Sequence, residues 1–285
     1  MASSPKGWYK DPYGRMPFRW WDGTKWSPYA RGDEVEWDPV EAQPVAGRRA
    51  GFPVMGFALL GFAVAVGLSF TVLIVLRSNG KPGGPSVELV LTEIALWLPM
   101  LATCWILSRR RGEGSFAIDY GLRWRPVDIG LGFAGSLAAR STESIALLPI
   151  ILVHPHFSVP DVSEFQPFTH GASEWIVLAL VTCVGAPIVE EIFFRGLIQT
   201  RLVGRYGPVV GIGVTSILFG AAHLIGWAGS ISLVDALAIA GAGVALGTMR
   251  HLTGRLGTSM MTHGFFNAQA LIVLAYVHSP SLMIR

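Results

Sequence analysis

Cysteine is nearly missing from this 285-residue chain: Cys104 and Cys183 are the only two, both within apolar runs, so neither a disulfide framework nor a cysteine-rich metal site can be built. Charge is scarce too, with 14% Asp, Glu, Lys and Arg, against about a quarter in an ordinary soluble domain. That excludes a conventional water-soluble body. Hydrophobic residues make up 51% and the mean hydropathy is +0.48, so a bilayer is the natural solvent. The net charge of +3 and the pI near 9.0 do not imply nucleic acid, because Lys and Arg gather at the ends of apolar runs and not on one continuous face. No internal repeat is visible, whereas a transporter built from two inverted halves should show one. The first residues lack the charged, apolar and small-residue order of a secretory signal, so the first 50 are expected to stay in the cytoplasm.

Composition changes near residue 50. The head, 1–31, holds Gly7-Trp8-Tyr9-Lys10-Asp11-Pro12-Tyr13-Gly14 and Arg19-Trp20-Trp21-Asp22-Gly23-Thr24-Lys25-Trp26, aromatic runs broken by turn dipeptides. Asp22-Gly23 signals a tight turn between short strands. So small a unit buries little core, and its tryptophans must supply the area. A self-packed aromatic sheet is preferred over a peptide-binding surface, and its residues name no partner. Residues 32–50 carry Asp33, Glu34, Glu36, Asp38 and Glu41 with Pro39 and Pro44, the composition of a charged linker. Residues 51–124 then hold two apolar runs and a basic loop, and 125–280 the remaining runs.

The apolar runs lie at 52–76, 87–107, 128–153, 174–200, 208–225, 232–250 and 257–278, each near the roughly 20 residues needed to cross a hydrocarbon core. The expected fold is therefore an all-α polytopic membrane protein of about seven transmembrane helices behind a small β-type head. Arg109, Arg110, Arg111, Arg123 and Arg125 place 108–127 in the cytoplasm, while 154–173 has no Lys or Arg and falls outside. Arg201, Arg205, Arg250 and Arg255 agree; Arg77 and Lys81 are the exception. The reading is a multi-pass cell-membrane protein with its N-terminus inside. Gly243 and Gly247 share a helix face and admit a close neighbour.

An ionisable group at membrane depth costs about 2.5–3.5 kcal/mol and needs a partner or a task. Four clusters meet that condition. In Glu190-Glu191-Ile192-Phe193-Phe194-Arg195, Glu191 and Arg195 are helical neighbours able to pair, and Glu190 points about 100° away. His223 follows Phe219 by four in the fifth run. His263 and Asn267, four apart, share one face of the last. Arg140 and Glu143, three apart, are expected to pair structurally. Each has a plain alternative: a fixed ion pair, a headgroup-layer carboxylate, a hydrogen-bonded core histidine, interhelical glue. Together they supply the residue types of a hydrolytic site. His154, His156 and His170, in the outer loop, read as solvated residues.

The order Glu-Glu-x-x-x-Arg, Phe-x-x-x-His and His-x-x-x-Asn, each in a separate span, resembles the CPBP family: the type 2 CAAX prenyl proteases and the related Abi-type bacteriocin-processing or immunity proteins. The resemblance covers about 125–278. It implies an intramembrane endopeptidase with catalytic positions at Glu190, His223, His263 and Asn267, supported by Glu191 and Arg195. The short Trp-rich head resembles one found at the N-terminus of many bacterial membrane proteins.

A geometric condition follows. If the fourth span ended at Arg195, Glu190 would lie near the cytoplasmic face while His223 sat about 22 Å deep in a helix starting at Pro208. The helix is therefore expected to continue to about Val203. Two mechanisms stay open. In the metal-free one, Glu190 is the general base, His223 orients the water, and His263 and Asn267 donate to the oxyanion. In the other, a zinc ion is held by His223, His263 and a carboxylate such as Glu191, the basis on which the family is often labelled metalloprotease. An amide is an uncommon zinc ligand and no His-Glu-x-x-His helix is present, so the metal-free form is preferred. The expected substrate is a membrane-embedded or amphipathic peptide. A non-catalytic scaffold or immunity protein is the rival class, for which a base and a donor pair would be superfluous.

Overall fold

The computed structural model describes residues 5–12, 16–24, 26–37, 52–80, 83–153, 168, 171–224 and 233–278. The head is an antiparallel meander of β1 (Gly7–Lys10), β2 (Phe18–Trp21), β3 (Trp26–Arg31) and β4 (Val35–Trp37). Asp22-Gly23 turns the chain between β2 and β3, with Gly23 at φ 97 and the Asp22 carboxylate accepting from Thr24 N at 2.8 Å. The sheet runs on into the acidic stretch expected to be linker: Arg31 pairs with Val35 and Tyr29 with Trp37, because Gly32-Asp33-Glu34 makes another tight turn. Edge-on contacts such as Trp8–Trp20, 5.6 Å between centroids, supply the aromatic packing. Beside them Arg19 and Asp11 are paired at 2.8 Å with both side chains fully buried, which the aromatic pattern gave no reason to expect.

The body is helical: α1 (Phe52–Ser78), α2 (Gly84–Arg111), a short α3 (Phe116–Asp119) and α4 (Val127–Val153), then α5 (Ala172–Leu180), α6 (Ala186–Glu190) and α7 (Thr200–His223), and finally α8 (Leu233–Thr253) and α9 (Leu256–His278). Two π-helical stretches, Val181–Gly185 and Glu191–Gln199, join α5 to α6 and α6 to α7. Five helical stretches among the described residues are long and apolar enough to cross a membrane: Val54–Ser78, Gly84–Arg111, Val127–Val153, Ala172–His223 and Leu233–Thr253. Ile74, Leu98, Leu152, Ile217 and Leu252 are among the large apolar side chains left exposed; such a surface suits lipid, not water.

The stretch Ala172–His223 is two limbs. Gly207 takes φ 82 and ψ 169, a conformation that side chains resist, and Pro208 restarts the helix. The chain doubles back there, since Phe194 before the turn and Phe219 after it meet edge to face, 5.2 Å between centroids. The helix carrying Glu190 thus runs past Arg195 and Val203 to the Gly207 turn, as the depth argument required. The last apolar run, α9, also carries Thr258, Ser259, Thr262, His263, Asn267 and Gln269.

In the body, α8 packs against α4 and α7, α9 against α4, and α1 against α2. Gly220 lets α7 approach α8: a Cβ there would overlap the Ala236 carbonyl and lie 2.8 Å from Ala240 Cβ. Gly220→Ala is therefore expected to cost about 1–3 kcal/mol by overpacking, read as a lower unfolding temperature in detergent; Gly213→Ala, with nothing within 4 Å, should be neutral. Gly243 and Gly247 do serve close approach. Their carbonyls accept from Arg195 Nη2 at 3.4 Å and Gln199 Nε2 at 2.9 Å.

The basic segment after α2 is tied down. Asp119 accepts from Ser108 Oγ at 2.5 Å and Glu113 N at 2.8 Å, the buried Tyr120 hydroxyl donates to the Cys104 carbonyl at 2.6 Å, and burial pushes that phenol above its ordinary range. Arg250 donates to the Tyr120 carbonyl at 3.0 Å, and Arg255 pairs with Asp128. Arg201 and Arg250, expected as loop charges, are buried, because the helices holding them continue past the expected ends. Arg140 pairs with Glu143 at 2.8 Å and also donates to the Phe266 carbonyl at 2.7 Å, fixing α9 against α4.

Candidate active site

The site grows from the π-helical stretch. Widening a helix re-aims side chains that α-geometry would place elsewhere, and such turns recur at functional sites. All nine residues of Glu191–Gln199 are buried, as befits a helix surrounded by others. Within it Arg195 Nη1 donates to Glu191 Oε1 at 2.9 Å, with both side chains fully buried. The guanidinium lies over the Phe219 ring, 4.1 Å from its centroid.

Across the bundle, α9 delivers His263 between the two carboxylates. Its Nδ1 lies 3.1 Å from Glu191 Oε1, and an ionised carboxylate only accepts, so Nδ1–H is the donor. The other nitrogen, Nε2, faces Glu190 Oε2 at 3.9 Å. That separation is too long for a direct hydrogen bond and suits one molecule of water touching both at about 2.8 Å. Glu190 Oε2 is itself buried with no hydrogen-bond partner among the described residues.

The expected site residues are therefore joined to different degrees. Glu190, Glu191, Arg195 and His263 meet directly. His223 joins through Phe219, whose ring contacts both His223 at 4.8 Å and His263 at 5.6 Å; His223 Nδ1 sits 2.8 Å from the Phe219 carbonyl. Asn267 donates one amide hydrogen to the Thr182 carbonyl at 2.7 Å, in the first π stretch, and keeps a second. His154, His156 and His170 lie outside the described residues.

Zinc does not fit the expected set. Glu191 Oε1, the carboxylate oxygen it would need, already receives Arg195 and His263, and a cation bound there would stand beside a guanidinium. No three of His, Cys, Asp or Glu among the described residues are grouped to hold a metal ion.

Sequence reading missed Glu93. It interrupts the apolar run 87–107 and is half-buried in α2; the rule that singled out Glu190, a charge inside a span, applies to it equally.

Fold and site together define an all-α polytopic membrane protein with a buried Glu–Arg–His cluster. Residues 172–269 match the family model described as type II CAAX prenyl endopeptidase Rce1-like, so this part of the chain is similar to a family of intramembrane proteases. Residues 7–46 match DUF2510, a protein family of unknown function, and that match includes β4. Comparison with curated proteins and with solved structures found no match.

Proposed function

We propose that the protein is an intramembrane endopeptidase in which Glu190 activates a water for attack on a peptide carbonyl. The observation that carries this reading is the unpartnered Glu190 Oε2, 3.9 Å from His263 Nε2: an unpaired carboxylate at membrane depth costs free energy, and such residues mark functional sites. Glu191 and Arg195 neutralise each other and hold the imidazole by Nδ1. Glu190 takes a proton from the water while its oxygen bonds to the carbonyl carbon. His223 orients the water, and His263 and the remaining Asn267 amide hydrogen donate to the developing oxyanion.

The substrate is a membrane-embedded or amphipathic peptide, and the protein is a multi-pass cell-membrane protein with the head in the cytoplasm. Proteolysis is expected to persist in chelator, since the mechanism needs no metal. The test compares membrane peptides in cells carrying the wild type or Glu190→Ala. Uncleaved precursors should accumulate in the variant. Identical peptide profiles, with both chains equally abundant, would leave a scaffold as the better reading.

A further inference from the structure

Helices α1 and α2 form an antiparallel hairpin. Arg77 Nη2 pairs with Glu88 at 3.0 Å, Ser69 Oγ donates to the Thr92 carbonyl at 3.0 Å, and a Cβ on Gly61 would overlap the Thr103 hydroxyl. As positions fall along α1 they rise along α2, and the same register carries Phe52 beside Arg111. The start of α1 and the end of α2 therefore lie on one side of the membrane, whichever side that is. The chain from the head joins the bundle next to Arg109, Arg110 and Arg111.

That end of the bundle is cationic. Arg109, Arg110, Arg111 and Arg125 are exposed, and the loop carrying Arg123 and Arg125 is fixed there, its Gly121 and Arg123 carbonyls accepting from Leu256 N at 2.8 Å and Gly257 N at 3.0 Å. A Cβ on Gly196 would lie 2.9 Å from Tyr120 Cβ, so the limb that ends in exposed Arg205 joins the same face. The acids of 105–128 offset little of this. Asp128 pairs with Arg255, Asp119 is buried and accepts from Ser108, Glu113 N and Ser115 N, and Glu113 is the exposed one. Arginines at span ends report sidedness; what they face depends on the chain that meets them.

The chain between the head and α1 has the opposite charge. Residues 32–47 hold Asp33, Glu34, Glu36, Asp38 and Glu41 and no Lys or Arg. Acids contribute little to sidedness, so topology gives no account of them. Eleven residues lead from Glu41 to Phe52, a reach of at most about 36–40 Å, which keeps the acids near the cationic end, and Arg48 and Arg49 add two cations at the foot of α1. One exposed ion pair contributes little in water. Several together hold when a tether keeps the partner at roughly millimolar effective concentration. We propose that the acidic segment 33–41 docks on this cationic end, across Arg109, Arg110 and Arg111, and so holds the Trp-rich head against the membrane face that bears the basic loop. The docking is independent of what the buried site hydrolyses.

The experiment uses the full chain, one copy to a bilayer disc, with Arg110→Lys to supply an amine at unchanged charge. A zero-length carbodiimide then condenses that amine with any carboxylate touching it. An amide between position 110 and Glu36, Asp38 or Glu41 is expected, read by peptide mass spectrometry. Its yield should fall by about 2- to 30-fold when Arg109→Gln and Arg111→Gln remove two exposed pairs, and should fall again as ionic strength rises from about 0.05 to about 0.5 M and the screening length shrinks. A yield indifferent to both changes would report random collisions of the tether and overturn the docking, as would crosslinks confined to Glu113. Discs of phosphatidylcholine and discs rich in phosphatidylglycerol should give the same product; its loss in the second would show that anionic headgroups hold the arginines instead. In discs loaded with two copies, one of them isotope-labelled, the amide should join residues of one chain. Hybrid products in place of it would make a second copy the partner and overturn the proposal.

Discussion

A Glu190→Gln chain is expected to lose about 10²- to 10⁴-fold in peptide hydrolysis while its unfolding temperature in detergent stays level or rises. The two halves of that expectation have separate causes. Rate falls because an amide cannot take the proton of the attacking water, although it fills the same space. Stability does not fall, because Glu190 contributes no ion pair with Arg195 and its Oε2 is buried without a partner, so the charge is a cost carried by the fold. Exchange of a strained functional group for a neutral one commonly trades activity for stability. A Glu190 that were structural would behave in the opposite way, with unfolding temperature falling along with activity. Thermal unfolding and turnover on the same preparation distinguish the two.

Legibility differed along the chain for physical reasons. Apolar runs are conspicuous because every residue facing lipid must be apolar, so α1, α2, α4 and α8 could be placed from their runs. Helix ends were less legible. Arg201 and Arg250 read as loop charges because arginines usually mark span ends, yet both are buried, within helices that run on. Likewise β4 lay hidden in an acidic stretch, since three residues, Val35-Glu36-Trp37, carry too little alternation to read as a strand. The continuation of the helix past Arg195 could be deduced only from two residues having to meet.

The site was legible as residue types and not as wiring. Spacing alone gave the Glu191–Arg195 pair and the shared face of His263 and Asn267, because i and i+4 are neighbours on any helix. It could not show that Nδ1 of His263 would be taken by Glu191 and Nε2 left for Glu190, since those groups lie on different helices, 72 positions apart along the chain. Nor could it show the π-helical widening, since Glu191–Gln199 carries no Pro and its one Gly, Gly196, does not by itself specify a π turn. Phe219 read as a motif position, yet its ring carries the Arg195 guanidinium and contacts both histidines. Gly220 beside it sets how closely that ring's helix approaches α8.

Arg195→Met is expected to destabilise the folded protein by about 3–5 kcal/mol, the largest stability effect of a single substitution here. Removal of the guanidinium leaves Glu191, fully buried, facing a low-dielectric interior with His263 as its remaining strong partner. Also lost are the donor to the Gly243 carbonyl at 3.4 Å and the cation over Phe219, which together tie the π stretch to α8 and α7. The unpaired carboxylate dominates this cost, so removing it as well should recover much of the loss: Glu191→Leu/Arg195→Met is expected to unfold at a higher temperature than Arg195→Met alone, because an apolar pair of similar volume replaces a buried ion pair at little net cost. Activity should not follow stability. In the double variant His263 has no carboxylate at Nδ1, its ring is free to turn, and hydrolysis should stay as low as in the single variant. A double variant that regained both stability and turnover would show that the pair fixes the helix without orienting His263, and an Arg195→Met chain within about 0.5 kcal/mol of wild type, the range of ordinary surface substitutions, would remove the pair from the account of the site altogether.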